Sequence, residues 1–257
     1  MKKLLFAAAA VLTVILTDTA GAADLPMKAE PIVARFSWTG CYLGGTLGGA
    51  FARKDITDPV QLVQDSFNGP GSTTGITTVR VSPNGAIVGG QIGCDYQFAN
   101  NVVIGIEGFA AGLSNKSSTA FALPLGGPGD FAAAQATTDF LTSITGRLGY
   151  AFDRVLLYGR GGFALAGDKY EVLGSFNATP FNFTGLENRI GWTAGAGVEW
   201  AFSPHWSVNL EYDYYGFGTK TVTMFDAGNQ LLGFVDVKQN IQVVKVGLNF
   251  HAWGLGW

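Results

Sequence analysis

Eight charged side chains fall inside segments of alternating apolar and polar residues, and they are the residues of this chain best placed for chemistry. They are five acids and three bases: Asp95, Glu107, Arg147, Arg160, Glu199, Glu211, Asp213 and Lys245. In each segment the charged residue lies opposite in parity to the apolar ones, so all eight would share one face of a sheet. In a confined interior such charges either pair as an ion network or line a narrow ion path. We expect the network and keep the ion path as the alternative.

The two cysteines form the second candidate group. Cys41 and Cys94 lie near adjoining ends of the first two alternating segments, and both share the apolar parity. If these segments pair as antiparallel neighbours, the cysteines could approach to the ~7 Å between Cα atoms that a disulfide requires. The sequence leaves a disulfide and two free thiols equally open. A metal site is not expected, because two thiols are too few ligands.

Nucleophilic catalysis has few candidate residues. The chain contains two histidines, His205 and His251, and a Ser/His/acid arrangement needs one of them beside a nucleophile. Ser207 is near His205 only along the chain, and there is no G-x-S-x-G, metal-spaced histidine cluster or phosphate-binding loop. We therefore predict that the protein is not an enzyme and has no cofactor and no metal.

The elements that would position these residues are eight strands. In the most regular segment, residues 190–202, every even position is apolar and aromatics stand near both ends. The predicted strands are Trp38–Phe51, Asn84–Phe98, Val102–Leu113, Asp139–Phe152, Val155–Leu165, Ile190–Phe202, Trp206–Phe217 and Asn240–Phe250. Three connections are short, at 99–101, 153–154 and 203–205, and four are long, at 52–83, 114–138, 166–189 and 218–239.

This layout predicts an all-β fold, an eight-stranded antiparallel up-and-down transmembrane β-barrel. Short periplasmic turns that alternate with long extracellular loops, and an even strand number, are typical of bacterial outer-membrane barrels. Only 14% of residues are charged, against roughly 25% in a soluble domain. A secreted β-sandwich is the alternative, but it would not need aromatics at both ends of nearly every strand.

Two aromatic belts are predicted at the membrane interfaces. The periplasmic belt would hold Trp38, Tyr42, Tyr96, Tyr150, Phe152, Trp200 and Trp206. The outer belt would hold Phe51, Phe140, Trp192, Tyr214 and Phe217.

The first residues indicate export. A positive start, an apolar run and an A-x-A site ending at Ala22 predict a signal peptide over residues 1–22. We expect a periplasmic lead over 23–37, the barrel over 38–250 and a tail over 251–257. Cleavage removes Lys2, Lys3 and Asp18, so the net charge changes from −3 to −4, which argues against a nucleic-acid partner.

Several motifs together resemble one family. The motifs are WTGCYLGG from Trp38, GGQIGCDYQ from Gly89, GIEG from Gly105, TGRLGYA from Thr145 and KVGLNF from Lys245. They are similar to small alphaproteobacterial outer-membrane β-barrel proteins, also called outer-membrane immunogenic proteins or porin-family surface antigens. The family usually ends at an aromatic that the assembly machinery reads. Phe250 fits that role, but seven residues follow it and Trp257 is the last of them.

The resemblance implies an OmpA/OmpX-like barrel in the cell outer membrane, with a structural and surface-antigen role and no catalytic residues. The expected partners are outer-membrane lipid and the outer-membrane assembly machinery. Two other functions stay open: a small-solute porin, and a module that binds haem or a host surface through its loops. The loop aromatics available for the second are Phe121, Phe131, Phe181 and Phe183.

Overall fold

A computed structural model describes residues 36–68, 77–123, 127 and 129–254. The predicted signal peptide and nearly all of the predicted lead lie outside the described residues. The elements are β1 (Gly40–Thr57), α1 (Pro59–Asn68), β2 (Thr78–Val81), β3 (Asn84–Gln97), β4 (Val102–Ser114), β5 (Lys116–Phe121), β6 (Phe131–Phe152), β7 (Val155–Phe176), β8 (Thr179–Ala201), β9 (Trp206–Phe225) and β10 (Leu231–Gly254).

Eight of these strands close into a ring, so the predicted eight-stranded antiparallel barrel is confirmed. The order is β1, β3, β4, β6, β7, β8, β9 and β10, and β10 pairs back onto β1. The short strands β2 and β5 pair with β1 and β6 beyond the ring. Closure leaves no free sheet edge in the ring, as a barrel in lipid requires.

One end of the barrel, the short-turn end, carries the three tight connections. Asn101 and Asp153 take the left-handed conformation in two of these turns, with φ of 66° and 55°. Asparagine and aspartate tolerate this conformation better than most residues, which explains their presence there. The opposite end, the hairpin end, carries the four long connections.

The four long connections are largely folded, which the sequence did not predict. Strand β7 runs to Phe176 and β8 starts at Thr179, with only the left-handed pair Asn177 and Ala178 between them. Strand β9 likewise runs to Phe225 and β10 starts at Leu231. The wall of the barrel therefore extends past the predicted strand ends.

The extension forms because its amphipathicity is inverted. In the predicted strands the apolar side chains point out, whereas in the extension Val172, Met224 and Val235 are buried inside and Lys169 is exposed outside. A sheet in water stabilises itself by burying its apolar face, here against the opposite wall and helix α1. The extension therefore distributes its apolar side chains as a barrel in water would, and it continues a wall whose other half has the distribution of a membrane barrel.

The last strand continues beyond Phe250, so residues 251–254 belong to β10 rather than to a tail. His251 pairs with Tyr42 and Trp253 pairs with Cys41, which leaves Ala252 as an extra residue in the pairing. This bulge accounts for the change of parity after Phe250. Trp257 lies outside the described residues.

Candidate functional site: the barrel lumen

All eight charged residues singled out in the sequence point into the lumen, and they form one connected network. Each is buried, because it stands on the face opposite the exposed apolar residues of its strand. An eight-stranded barrel is only wide enough for its own side chains, so the charges must meet across it. The network lies in the half of the barrel nearer the short turns.

Arg147 joins three carboxylates on one side of the network. Its Nη2 donates to Glu199 Oε2 at 2.8 Å. Its Nη1 lies 3.3 Å from Asp95 Oδ2 and 3.5 Å from Glu107 Oε2. One guanidinium on β6 thus ties together β3, β4 and β8.

Arg160 and Lys245 neutralise the other side. Arg160 donates through Nε to Asp213 Oδ1 at 2.6 Å and contacts Glu107 and Glu211 through Nη1. Lys245 Nζ lies 2.5 Å from Glu211 Oε2 and 2.7 Å from Asp213 Oδ2. Because Glu107 contacts both arginines, the two halves form a single unit.

Five acidic side chains face three basic ones, and neutral donors supply further contacts. Tyr42 donates to Glu107 Oε2 at 2.6 Å, and Tyr158 donates to Glu211. Asn249 donates to Glu199 Oε1 at 2.8 Å. Buried charges need such partners on every lone pair, or their desolvation is not offset.

Three aromatics predicted for the interface belts are inside the barrel instead. Tyr42 is 2% exposed because strand alternation points it into the lumen, whereas its neighbours Cys41 and Leu43 point outward. Phe217 is buried in the middle of the lumen. Trp38 is 1% exposed, and its indole donates to Asp153 O at 3.1 Å, across the short-turn end. Five other aromatics predicted for the interface belts point outward, namely Tyr96, Tyr150, Trp192, Trp200 and Trp206.

His251 lies near Ser207, but the hydrogen bonds of this serine do not prepare it to act as a nucleophile. Ser207 Oγ is 2.8 Å from His251 Nε2 and donates its proton to Glu199 Oε1 at 2.5 Å. A nucleophilic serine must instead donate to the histidine, which acts as the base. Ser207 is also fully buried. His205, the nearer histidine along the chain, is exposed in its turn.

A second charged cluster, which is not among the predicted site residues, lies toward the hairpin end. Lys54 Nζ is 2.7 Å from Asp168 Oδ1, and Arg189 Nε is 3.4 Å from Asp168 Oδ2. Gln239 Oε1 accepts a hydrogen bond from Tyr170 at 2.8 Å. All of these residues fall in ranges assigned to loops, although the alternation of Asp168, Tyr170 and Val172 would have revealed the extended strand.

Three apolar layers alternate with the two charged clusters along the barrel axis. The first, at the short-turn end, includes Trp38, Val103 and Leu156. The middle layer packs Phe109, Leu141, Tyr215, Phe217, Ile241 and Val243 together. The third fills the extension, and Leu62 and Val63 of α1 belong to it. In the described residues, side chains therefore fill the lumen from end to end.

The two cysteines are joined in the structure. Cys41 pairs directly with Cys94 between β1 and β3, with the Cα atoms 3.9 Å apart, and a disulfide links them on the outer face.

A single carboxylate braces the turn between β7 and β8. Asp130 accepts hydrogen bonds from the backbone N–H of Asn177 at 2.8 Å, Gly127 at 2.8 Å and Ala178 at 3.4 Å. These donors, Asn177 first, lower the pKa of Asp130 below its ordinary value of 3.8. The contribution of this contact is therefore present above that ordinary value and is lost as the pH falls through the lowered one.

The aromatics considered for ligand binding through the loops differ in their exposure. Phe181 and Phe183, considered as exposed loop aromatics, are buried inside the extension, whereas Phe131 is exposed.

Among the described residues, no group of three or more His, Cys, Asp or Glu side chains could hold a metal ion. In the same part of the chain, no helix is long and apolar enough to cross a membrane.

The closed ring, its apolar outer wall and its charged, filled interior define an outer-membrane β-barrel protein. The family model of the outer membrane protein beta-barrel domain matches residues 7–250. The chain belongs to this family and is a protein of the cell outer membrane, as the resemblance of its motifs predicts.

Named relatives carry the same description. The chain is 30% identical to the 31 kDa outer-membrane immunogenic protein of Brucella melitensis over 223 residues, which cover 85% of each chain. It is 25% identical to the 25 kDa outer-membrane immunogenic protein of Brucella abortus, covering 97% of this chain and 98% of that one. Among solved structures, OprG from Pseudomonas aeruginosa matches 83% of this chain and 97% of its own, at 13% identity and a TM-score of 0.43.

Proposed function

We propose that this protein is a closed, non-conducting and non-enzymatic barrel that has a structural and surface role in the outer membrane. The observation that carries this proposal is the layered filling of the lumen. A pore needs a continuous wet path, but here the apolar middle layer stands between the two charged clusters. The charges above and below it are used in pairing with one another.

We further propose that the short-turn end faces the periplasm and the hairpin end faces the outside. Outer-membrane barrels commonly have short periplasmic turns and longer extracellular connections. The inverted pattern of the extension supports this orientation, because its apolar interior and its outer face, polar apart from side chains such as Phe131, Leu186 and Phe234, suit a segment surrounded by water. The surface role would then belong to the extension and its tight turns.

Absence of catalysis is part of the same proposal. Ser207 Oγ donates its proton to Glu199 Oε1 rather than to His251, which disfavours activation of this serine. The fully buried Ser207 also offers no room for a substrate. Within the described residues, no other serine or cysteine has the ring of a histidine hydrogen-bonded to it.

Single-channel recording of the refolded mature chain in a planar bilayer tests the proposal. We expect no unitary conductance from protein whose folding is verified by the heat-dependent shift of its electrophoretic mobility. A double variant with Phe109→Ala and Phe217→Ala removes two rings of the middle layer and should begin to conduct, whereas Leu47→Ala on the outer wall should stay silent.

The contrary result is equally clear. Reproducible unitary conductance of the wild-type barrel, changed in size or ion selectivity by Arg147→Ala and Arg160→Ala, would make the charged network the lining of a pore. It would overturn the closed-barrel proposal.

A further inference from the structure

A polar groove lies on the outer wall, where β1, β3, β9 and β10 meet. Its volume is about 480 Å³. Its lining includes the side chains of Phe51, Arg53, Asn84, Tyr214, Asn240 and Gln242. A groove lined by amides and a guanidinium is unusual on the wall of a membrane barrel, because lipid tails offer these groups no hydrogen bonds.

The strand register places this groove at the upper edge of the apolar wall. Phe51 stands opposite Gln242 on one side and Asn84 on the other, and Gln242 stands opposite Tyr214. Two residues farther from the hairpin end, Gly49 stands opposite the exposed Val244. Two residues toward the hairpin end, Arg53 stands opposite Asn240. Toward the hairpin end, the outward side chains of the wall thus change from apolar to aromatic and amide, and then to cationic, within a few residues.

Cations outnumber acids at the groove. Beyond Arg53, the next outward pair is Asp55 opposite Lys238, and Arg80 engages Asp55 with its Nε 2.6 Å from Oδ1. Within the described part of the chain, neither Arg53 nor Lys238 forms an ion pair. Asp236, farther toward the hairpin end, accepts a hydrogen bond from Thr221 at 2.7 Å.

Two other cations of the outer rim, Lys169 and Lys220, are paired, whereas Lys116 at the start of β5 forms no ion pair within the described residues. Lys169 Nζ lies 2.8 Å from Glu171 Oε1 on β7. Lys220 contacts Glu187 and also donates to Asn188 O at 3.0 Å. Arg53 and Lys238 are therefore two rim cations without an ion pair that stand within two residues of a polar groove.

We propose that this groove binds the phosphate-bearing headgroup of an outer-leaflet glycolipid. Arg53 and Lys238 contact the phosphate, and the amides of Asn84 and Asn240 hydrogen-bond to the sugar. Phe51 and Tyr214 lie where sugar meets acyl chain, the depth at which aromatic side chains are favoured. The acyl chains then lie along the apolar wall below. The leaflet assignment rests on the proposed orientation, but the binding itself does not.

Native mass spectrometry of the detergent-purified full mature chain, titrated with diphosphoryl lipid A, tests this site. We expect one tightly bound lipid. The double variant Arg53→Ala and Lys238→Ala should bind about thirtyfold more weakly, because each cation near a phosphorylated surface contributes roughly fivefold. The matched double variant Lys169→Ala and Lys220→Ala removes two rim cations that are paired, and its affinity should stay within about twofold of wild type.

Two further arms identify the ligand. Lipid A without its phosphates should bind as weakly as the Arg53 and Lys238 variant, and 10 mM inorganic phosphate, roughly a physiological level, should not displace the intact lipid. Equal affinity of the two double variants, or equal binding of the dephosphorylated lipid, would overturn the proposal. Displacement by inorganic phosphate would show an anion site rather than a lipid site and would also overturn it.

Discussion

At the scale of the residue, Arg147 is, with Arg160, one of two side chains that each contact three carboxylates. It contacts Asp95, Glu107 and Glu199, and it lies over the ring of Tyr158 with 4.0 Å between its Cζ and the ring centroid. These groups come from β3, β4, β7 and β8, so one side chain fixes the relation of four strands. Its loss would leave carboxylates buried without their main counter-charge.

We expect Arg147→Ala to lower the free energy of unfolding by about 3–5 kcal/mol, because removal of one partner leaves uncompensated buried charges. Urea unfolding of the barrel from phospholipid vesicles, followed by tryptophan fluorescence, measures this. Lys220→Ala, which breaks the exposed pair with Glu187, should cost less than about 1 kcal/mol. Equal losses in the two variants would contradict a central role for Arg147.

The residue scale also shows how far parity alone could predict the lumen. Glu107 and Arg160 are found inside because their strands alternate without interruption. Asp168 and Arg189 were missed, although they obey the same alternation, because they were assigned to polar connections. Tyr42 was placed by residue type rather than by parity, and parity is what the structure follows.

At the scale of the element, the inverted amphipathicity of the extension explains why strand ends were predicted too early. The predicted strands end where outward residues stop being apolar, as after Leu165 in β7. That position marks the limit of the apolar wall and not the end of hydrogen bonding. The sequence thus predicted strand number, order and starting points at the short turns, whereas the extension depends on contacts across the barrel that no local pattern contains.

Glycine contributes to the wall through close strand approach. A Cβ on Gly162 would stand 2.0 Å from Ile144 O and 2.8 Å from Thr145 Cα, both backbone atoms of the neighbouring strand. A Cβ on the next residue, Gly161, would meet nothing nearer than Thr193 O at 3.5 Å. The two adjacent glycines face opposite sides of the wall, and a methyl group would collide with the neighbouring strand only at Gly162.

We expect Gly162→Ala to destabilise the barrel by about 1–3 kcal/mol, because the methyl group forces β6 and β7 apart. Gly161→Ala should be neutral or stabilising by up to ~1 kcal/mol, since alanine reduces the freedom of the unfolded chain. Both are measured by the same urea unfolding from vesicles. If Gly161→Ala cost as much as Gly162→Ala, the close inward contact would not be the cause.

At the scale of the whole molecule, the barrel consists of two parts with one continuous wall. The part nearer the short turns has an apolar outside and a charged inside, as lipid requires, whereas the extension has a mostly polar outside and a largely apolar inside around the cluster of Lys54, Asp168 and Arg189. The change occurs near Phe51 and Arg53, where the groove lies. Because each part suits a different solvent, the protein can sit at only one depth and in one of two orientations.

Which orientation the molecule takes can be measured with two single cysteines at exposed turns of opposite ends. Asn177→Cys lies in the turn between β7 and β8, and His205→Cys lies between β8 and β9. The native cysteines are disulfide-bonded and should not react. A membrane-impermeant maleimide added to intact cells should label Asn177→Cys, and it should label His205→Cys only after the outer membrane is permeabilised. The reverse pattern would place the extension in the periplasm, and the groove would then face the inner leaflet.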